Sequence, residues 1–112
     1  MNKLLSLIVP VFNEEEVLPA SYARMSAAMQ ALTGYDYEII YVNDGSRDGT
    51  MKRLRAIAGE HKEVRVISFS RNFGHQLAVT AGMDNARGDA LIIIDADLQD
   101  PPEVIAELVK AW

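Results

Sequence analysis

Four times along this chain an apolar run of strand length gives way to a stretch with helical spacing, and the joints between them are short. Few architectures accept that alternation. Strands joined by crossover helices pair in parallel, the crossovers are right-handed, and helices cover both faces of the sheet. The predicted strands are Leu4 to Val11, Tyr37 to Val42, Val64 to Phe69 and Ala90 to Ile94. Five apolar residues in a row make the last of these read as a strand buried on both faces.

Between the strands lie the helices. Asn13 is placed to cap the first, with Glu14, Glu15 and Glu16 in its first turn and Pro19 in that turn or just beyond. Leu18, Tyr22, Met25, Met29 and Leu32 follow as one inward stripe. The second helix is predicted from about Asp48 to Gly59, with Met51, Leu54 and Ile57 inward. A third runs from about His75 to Ala86, with Gly88 placed to stop it in the left-handed conformation. Asp100-Pro101-Pro102-Glu103 reads as a variant capping box opening a last helix that still runs at Trp112.

The bulk numbers narrow the class. At 112 residues there is room for one domain, short for an enzyme with two substrates. A net charge of -5 argues against a nucleic-acid surface, and it means a phosphorylated ligand needs local help from a metal, an Arg or a helix N-terminus. With no Cys, disulfides and thiolate metal sites are excluded. Leu4 to Phe12 lacks the cleavage site of a secretory signal, and nothing approaches the roughly 20 apolar residues of a membrane span. The 112 residues are therefore expected to be soluble, with any membrane anchor outside them.

In sheets of this kind ligands bind beyond the carboxyl ends of the strands, where strand order reverses. Every unusual segment lies there. Asp95-Ala96-Asp97 leaves the fourth strand, and residues two apart in extended chain point the same way. Two carboxylates aimed at one point repel unless a cation intervenes, and hard oxygen donors suit Mg²⁺ or Mn²⁺. Gln99 continues the period with a neutral oxygen. Pro10-Val11-Phe12-Asn13-Glu14 ends the first strand, and the Phe12 ring could pack against a nucleobase. Asn43-Asp44-Gly45-Ser46 ends the second; Asp44 is suited to accept hydrogen bonds from a ribose or base, while Ser46, Asp48 and Thr50 read as turn and cap residues. After the third strand Arg71 could pair with phosphate, and His75 reads as a capping or packing residue. A shared site needs the first and fourth strands to be neighbours, which predicts the order 3-2-1-4.

Taken together, these segments resemble the N-terminal, nucleotide-sugar-binding half of a family 2 glycosyltransferase with the Rossmann-like GT-A fold. The likeness runs through Ile8 to Glu15, Val42 to Thr50, Arg71 to His75 and Asp95 to Glu103, and covers residues 1–112 as a single part of that domain. The tail Leu98-Gln99-Asp100-Pro101-Pro102-Glu103 is similar to the polyprenyl-phosphate branch, with its dolichyl-phosphate mannose synthases and bactoprenol glucosyltransferases. The resemblance implies that Pro10, Phe12 and Glu14 line the nucleoside pocket and that Val42 and Asp44 touch base and ribose, with Arg71 and Ala96 joining the donor contacts. It makes Asp95 and Asp97 the catalytic pair, and Asp95, Asp97 and Gln99 the holders of Mg²⁺ or Mn²⁺ and the diphosphate. It implies a UDP- or GDP-linked sugar donor, inversion, and a polyprenyl phosphate acceptor at the cytoplasmic face of a membrane.

Family members continue into an acceptor half and membrane helices, so the 112 residues are expected to be a donor-binding piece without turnover. The stripe Ile105, Leu108, Val109 and Trp112 is expected to lack a partner surface, which favours a homo-oligomer. A nucleotide-binding module and a receiver-like signalling domain share the alternation. The paired rather than isolated acids favour metal and diphosphate.

Overall fold

The computed structural model describes residues 2–96 and 104–111. β1 (Lys3–Val11), α1 (Leu18–Gln30), β2 (Tyr35–Asn43), α2 (Thr50–Glu60), β3 (Val64–Ser68), α3 (His75–Asn85), β4 (Ala90–Ile93) and α4 (Val104–Ala111) follow in strict alternation. The strands form one parallel sheet in the order β3-β2-β1-β4, as the shared-site argument requires.

Period-two alternation sorts the side chains between two layers. Leu5, Leu7, Val9 and Val11 of β1 join Ile39 and Tyr41 of β2 on one face, under Leu18, Met25 and Met29 of α1, Leu54 of α2, and Ile105 and Val109 of α4. Ile40 and Val42 point to the opposite face, where Ala78 of α3 meets them. Gly82, one turn after Ala78, seats α3 tightly on the sheet: a Cβ there would overlap the Cγ2 of Ile8.

Several expectations need correction. Asn13 does not cap α1. It adopts a φ of 51°, its Oδ1 accepts the Arg47 N–H at 2.8 Å, and its own N–H donates to Ser46 Oγ at 2.9 Å. The N–H groups of Glu14 and Glu15 donate to Thr50 Oγ1 and Asp48 Oδ2, so Glu14 to Glu16 form a turn pinned to the start of α2. The helix begins only at Leu18, with Pro19 in its first turn. Ser46 accordingly serves Asn13 rather than capping α2. Gly88 is not left-handed either. A Cβ there would overlap Ser6, so a close approach to β1 is what selects glycine.

β4 is not buried on both faces, since Leu91 is 40% and Ile93 49% exposed. Among the described residues β4 pairs only with β1, and α3 sits over β1 and β2, leaving that face of β4 open. The stripe of α4 is partly covered: Ile105 and Val109 enter the core while Leu108 stays 52% exposed. Asp100 to Glu103 and Trp112 lie outside the described residues.

Two buried hydroxyls, those of Ser21 and Tyr41, have no hydrogen-bond partner among the described residues. The Tyr41 hydroxyl is enclosed in the larger core without a hydrogen bond, and burial pushes its ionisation well above the ordinary phenol range. Removing an unsatisfied buried hydroxyl recovers its desolvation penalty, so Tyr41→Phe is expected to stabilise the fold by about 1 kcal/mol. A urea midpoint unchanged or lowered in the variant would show that the hydroxyl is satisfied.

Candidate functional site

β1 lies between β2 and β4, so the chain ends of all three strands open on one spot. The loop after β3 folds over the same spot, because Asp44 holds it there. Asp44 sits immediately past β2, with its N–H on the Val11 carbonyl, and is almost fully buried. Its Oδ1 accepts the Phe73 N–H at 2.8 Å and its Oδ2 the Gly74 N–H at 3.1 Å. Gly45 next to it has a φ of 74° and no space for a Cβ, since the backbone of Arg71 and Asn72 passes directly over it.

The result is a cleft of about 310 Å³ whose walls include Pro10, Phe12, Glu14, Asp44, His75 and Asp95. Phe12 is 43% exposed despite its size, and Glu14 Oε1 accepts the Phe12 N–H at 3.3 Å. Asp95 is 56% exposed, two residues beyond β4, with His75 Nε2 3.6 Å from its Oδ1. An aromatic face and acidic groups therefore share one concave surface. That combination suits a polar ligand carrying a flat ring.

Of the residues singled out from the sequence, Pro10, Phe12, Glu14, Asp44 and Asp95 meet in this cleft. Val42 does not line it: its side chain is fully buried under α3. Ala96 likewise turns into the larger core. Arg71 borders a neighbouring hollow of about 350 Å³ together with Arg47 and Asn72, and Phe12 stands between the two hollows. The Arg71 guanidinium lies 4.8 Å from the Phe73 ring centroid, a cation–π distance. Asp97 and Gln99 lie outside the described residues.

His75, read from the sequence as a capping or packing residue, does neither, being 66% exposed on the cleft wall. Sequence reasoning passed over Asn13 as a loop latch. Its tolerance of positive φ was the available signal. Asp48 is the turn residue it was taken for: the Thr50 hydroxyl and N–H both donate to it, and the hydroxyl first of all holds its carboxyl below the usual carboxylate range.

For a divalent cation, Asp95 offers a half-exposed carboxylate facing the cleft, the hard-oxygen donor that Mg²⁺ or Mn²⁺ takes. Among the described residues no group of three or more His, Cys, Asp or Glu side chains is gathered closely enough to hold an ion. Asp95 thus fits as one ligand of such a site.

Fold and cleft together define a doubly wound α/β domain of the GT-A glycosyltransferase kind. A mannosyltransferase from Pyrobaculum calidifontis, solved with GDP-Man and Mn²⁺, shares this fold with a TM-score of 0.80 over 98% of this chain and 32% of its own, at 23% identity. The profile of glycosyl transferase family 2 matches residues 6–112, and the chain belongs to that family. An uncharacterised glycosyltransferase of Bacillus subtilis, YkcC, is 50% identical over 107 residues, which are 96% of this chain and 33% of that protein. A bactoprenol glucosyl transferase of Shigella phage SfV is 49% identical over 108 residues, 96% of this chain and 35% of the phage protein. The chain thus spans about a third of the length of the curated relatives it matches.

Proposed function

We propose that this chain is the donor- and metal-binding part of a transferase that moves a sugar from a UDP- or GDP-linked donor to a polyprenyl phosphate. The observation that carries the reading is the meeting of Phe12, Asp44 and Asp95 in one cleft across three adjacent strand ends. Likeness to a relative named for glucosyl transfer to bactoprenol supports the lipid acceptor. Among the described residues no helix is long and apolar enough to cross a membrane. The same likeness supports our placing the whole protein at the cytoplasmic face of a membrane.

The chemistry follows from the leaving group. An acceptor phosphate oxygen attacks the anomeric carbon from the face opposite the nucleotide, the bond from that carbon to the diphosphate oxygen breaks, and the configuration inverts. The phosphate is already ionised near neutral pH, so no general base is required. Phe12 offers its ring to the base, and Glu14 and Asp44 offer acceptors to the nucleoside. Asp95, with Asp97 and Gln99 assigned on the sequence pattern, would hold Mg²⁺ or Mn²⁺ at the diphosphate. When bound, the cation offsets the charge that gathers on the departing nucleoside diphosphate.

Calorimetric titration with UDP and with GDP, each with Mn²⁺ and with EDTA, tests this reading. Saturable binding that needs Mn²⁺ is the expected result, because a chain of net charge -5 with acids in the cleft repels a bare diphosphate. Equal affinity in EDTA would overturn the metal assignment. Absence of binding to either nucleotide under both conditions would overturn the donor assignment.

A further inference from the structure

Asp95 has a neighbour that the sequence pattern does not pair with it. His75 is the first residue of α3, and its Nε2 faces Asp95 Oδ1 from a different layer of the fold. Its backbone is fixed from both sides. On one side Asp44 clamps the Phe73 and Gly74 N–H groups, and Gly74 turns the chain with a φ of 103° that other residues adopt only under strain. On the other, Ala78 and Gly82 seat α3 on the sheet. The imidazole itself serves no core and no cap. Well-anchored backbone thus carries an exposed imidazole to the half-exposed cleft carboxylate of Asp95.

We propose that His75 is a positioning residue for Asp95. Its Nε2–H donates to Oδ1, restricting the carboxylate to one rotamer and leaving Oδ2 for the divalent cation. This rests on the metal-site reading given above. A half-exposed Asp otherwise moves among staggered rotamers and must be ordered when the ion arrives. Groups that hydrogen-bond a ligating side chain remove that disorder beforehand, and losing one typically costs 10- to 100-fold in metal affinity. The 3.6 Å separation is long for a direct hydrogen bond, so the proposed contact requires one of the two exposed side chains to rotate.

The test compares the 112-residue chain with its His75→Ala, His75→Gln and Asp95→Ala variants, reading Mn²⁺ affinity from the electron paramagnetic resonance of the free ion, without nucleotide. His75→Ala is expected to weaken Mn²⁺ binding about 10-fold. His75→Gln, whose amide N–H reaches the place of Nε2–H, should return to within about twofold of the parent. Nucleotide affinity at saturating Mn²⁺ should be the same in the parent and both His75 variants. Unchanged Mn²⁺ affinity in His75→Ala, or no rescue by Gln, would overturn the positioning role. A drop in nucleotide affinity at saturating Mn²⁺ would also overturn it, by showing that His75 touches the ligand directly. If the parent and Asp95→Ala bind Mn²⁺ equally, the metal-site reading fails and the inference with it. If only Asp95→Ala differs from the parent, the inference alone fails.

Discussion

Asp95→Ala is expected to lower Mn²⁺-dependent affinity for UDP or GDP on the order of 100-fold, about 2.7 kcal/mol, with little change in stability. Its carboxylate is half exposed, and its one described side-chain contact is His75, so the fold has little to lose. The cleft has much to lose. Without that oxygen the cleft, still lined by Glu14 and Asp44, keeps its negative charge with one donor fewer to draw in the cation that offsets it. The same titration in EDTA supplies the internal control, since the variant and parent should there converge. An affinity in Mn²⁺ within threefold of the parent would show that the cation, if bound, is held elsewhere. Asp97→Ala is expected to behave alike on the sequence pattern.

At the opposite end of the sheet, Glu38→Ala is expected to destabilise the fold by about 3 kcal/mol. Glu38 is a buried carboxylate in the middle of an apolar strand. Its Oε2 accepts the Ser6 hydroxyl at 2.6 Å and the Arg87 N–H at 2.8 Å, and Arg65 Nε lies 3.7 Å from its Oε1. Ser6 Oγ in turn accepts the Gly88 N–H at 2.8 Å, while the Arg65 guanidinium also donates to the Asn85 carbonyl. One side chain therefore joins β1, β2, β3 and the turn between α3 and β4. Truncating it leaves buried donors without acceptors, and the partly exposed Arg65 softens the loss because water reaches it. Glu38→Gln keeps an acceptor and should cost roughly half as much. Urea unfolding measures both, provided the slope with denaturant stays constant. A loss below 1 kcal/mol for Glu38→Ala would mean that water replaces the network.

What could be read in advance divides along a physical line. Strand order followed from the sequence because Phe12 and Asp95 had to share a site, and that demand makes β1 and β4 neighbours. The stripe of α1 followed because Leu18, Tyr22, Met25 and Met29 repeat at the helical period. Asn13 was misassigned because one amide can cap a helix or accept a left-handed turn. The choice was made by Ser46 and Arg47, more than thirty residues away. Glu38 hides in the same manner, with partners at positions 6, 65 and 87 that no local pattern connects. An apolar run as short as Ala90 to Ile93 reports strand character but not how many faces are covered, which is decided by where α3 lands. His75 lay in the segment Arg71 to His75 but carried no sign of its partner, which is brought to it from beyond β4.

The stitching of the strand-end loops to one another has a thermodynamic side. Asn13 is tied to Ser46 and Arg47, Glu14 to Thr50, Glu15 to Gly49, and Asp44 to Phe73 and Gly74. Each tie freezes loop backbone during folding, and ordering a residue costs about 1 to 2 kcal/mol of conformational entropy. By the time a ligand reaches the cleft, that ordering is complete on the floor beneath it. Association then draws its entropic penalty mainly from the ligand's own tumbling and from the few side chains still exposed, Phe12 among them. The floor works as a mould set before the casting.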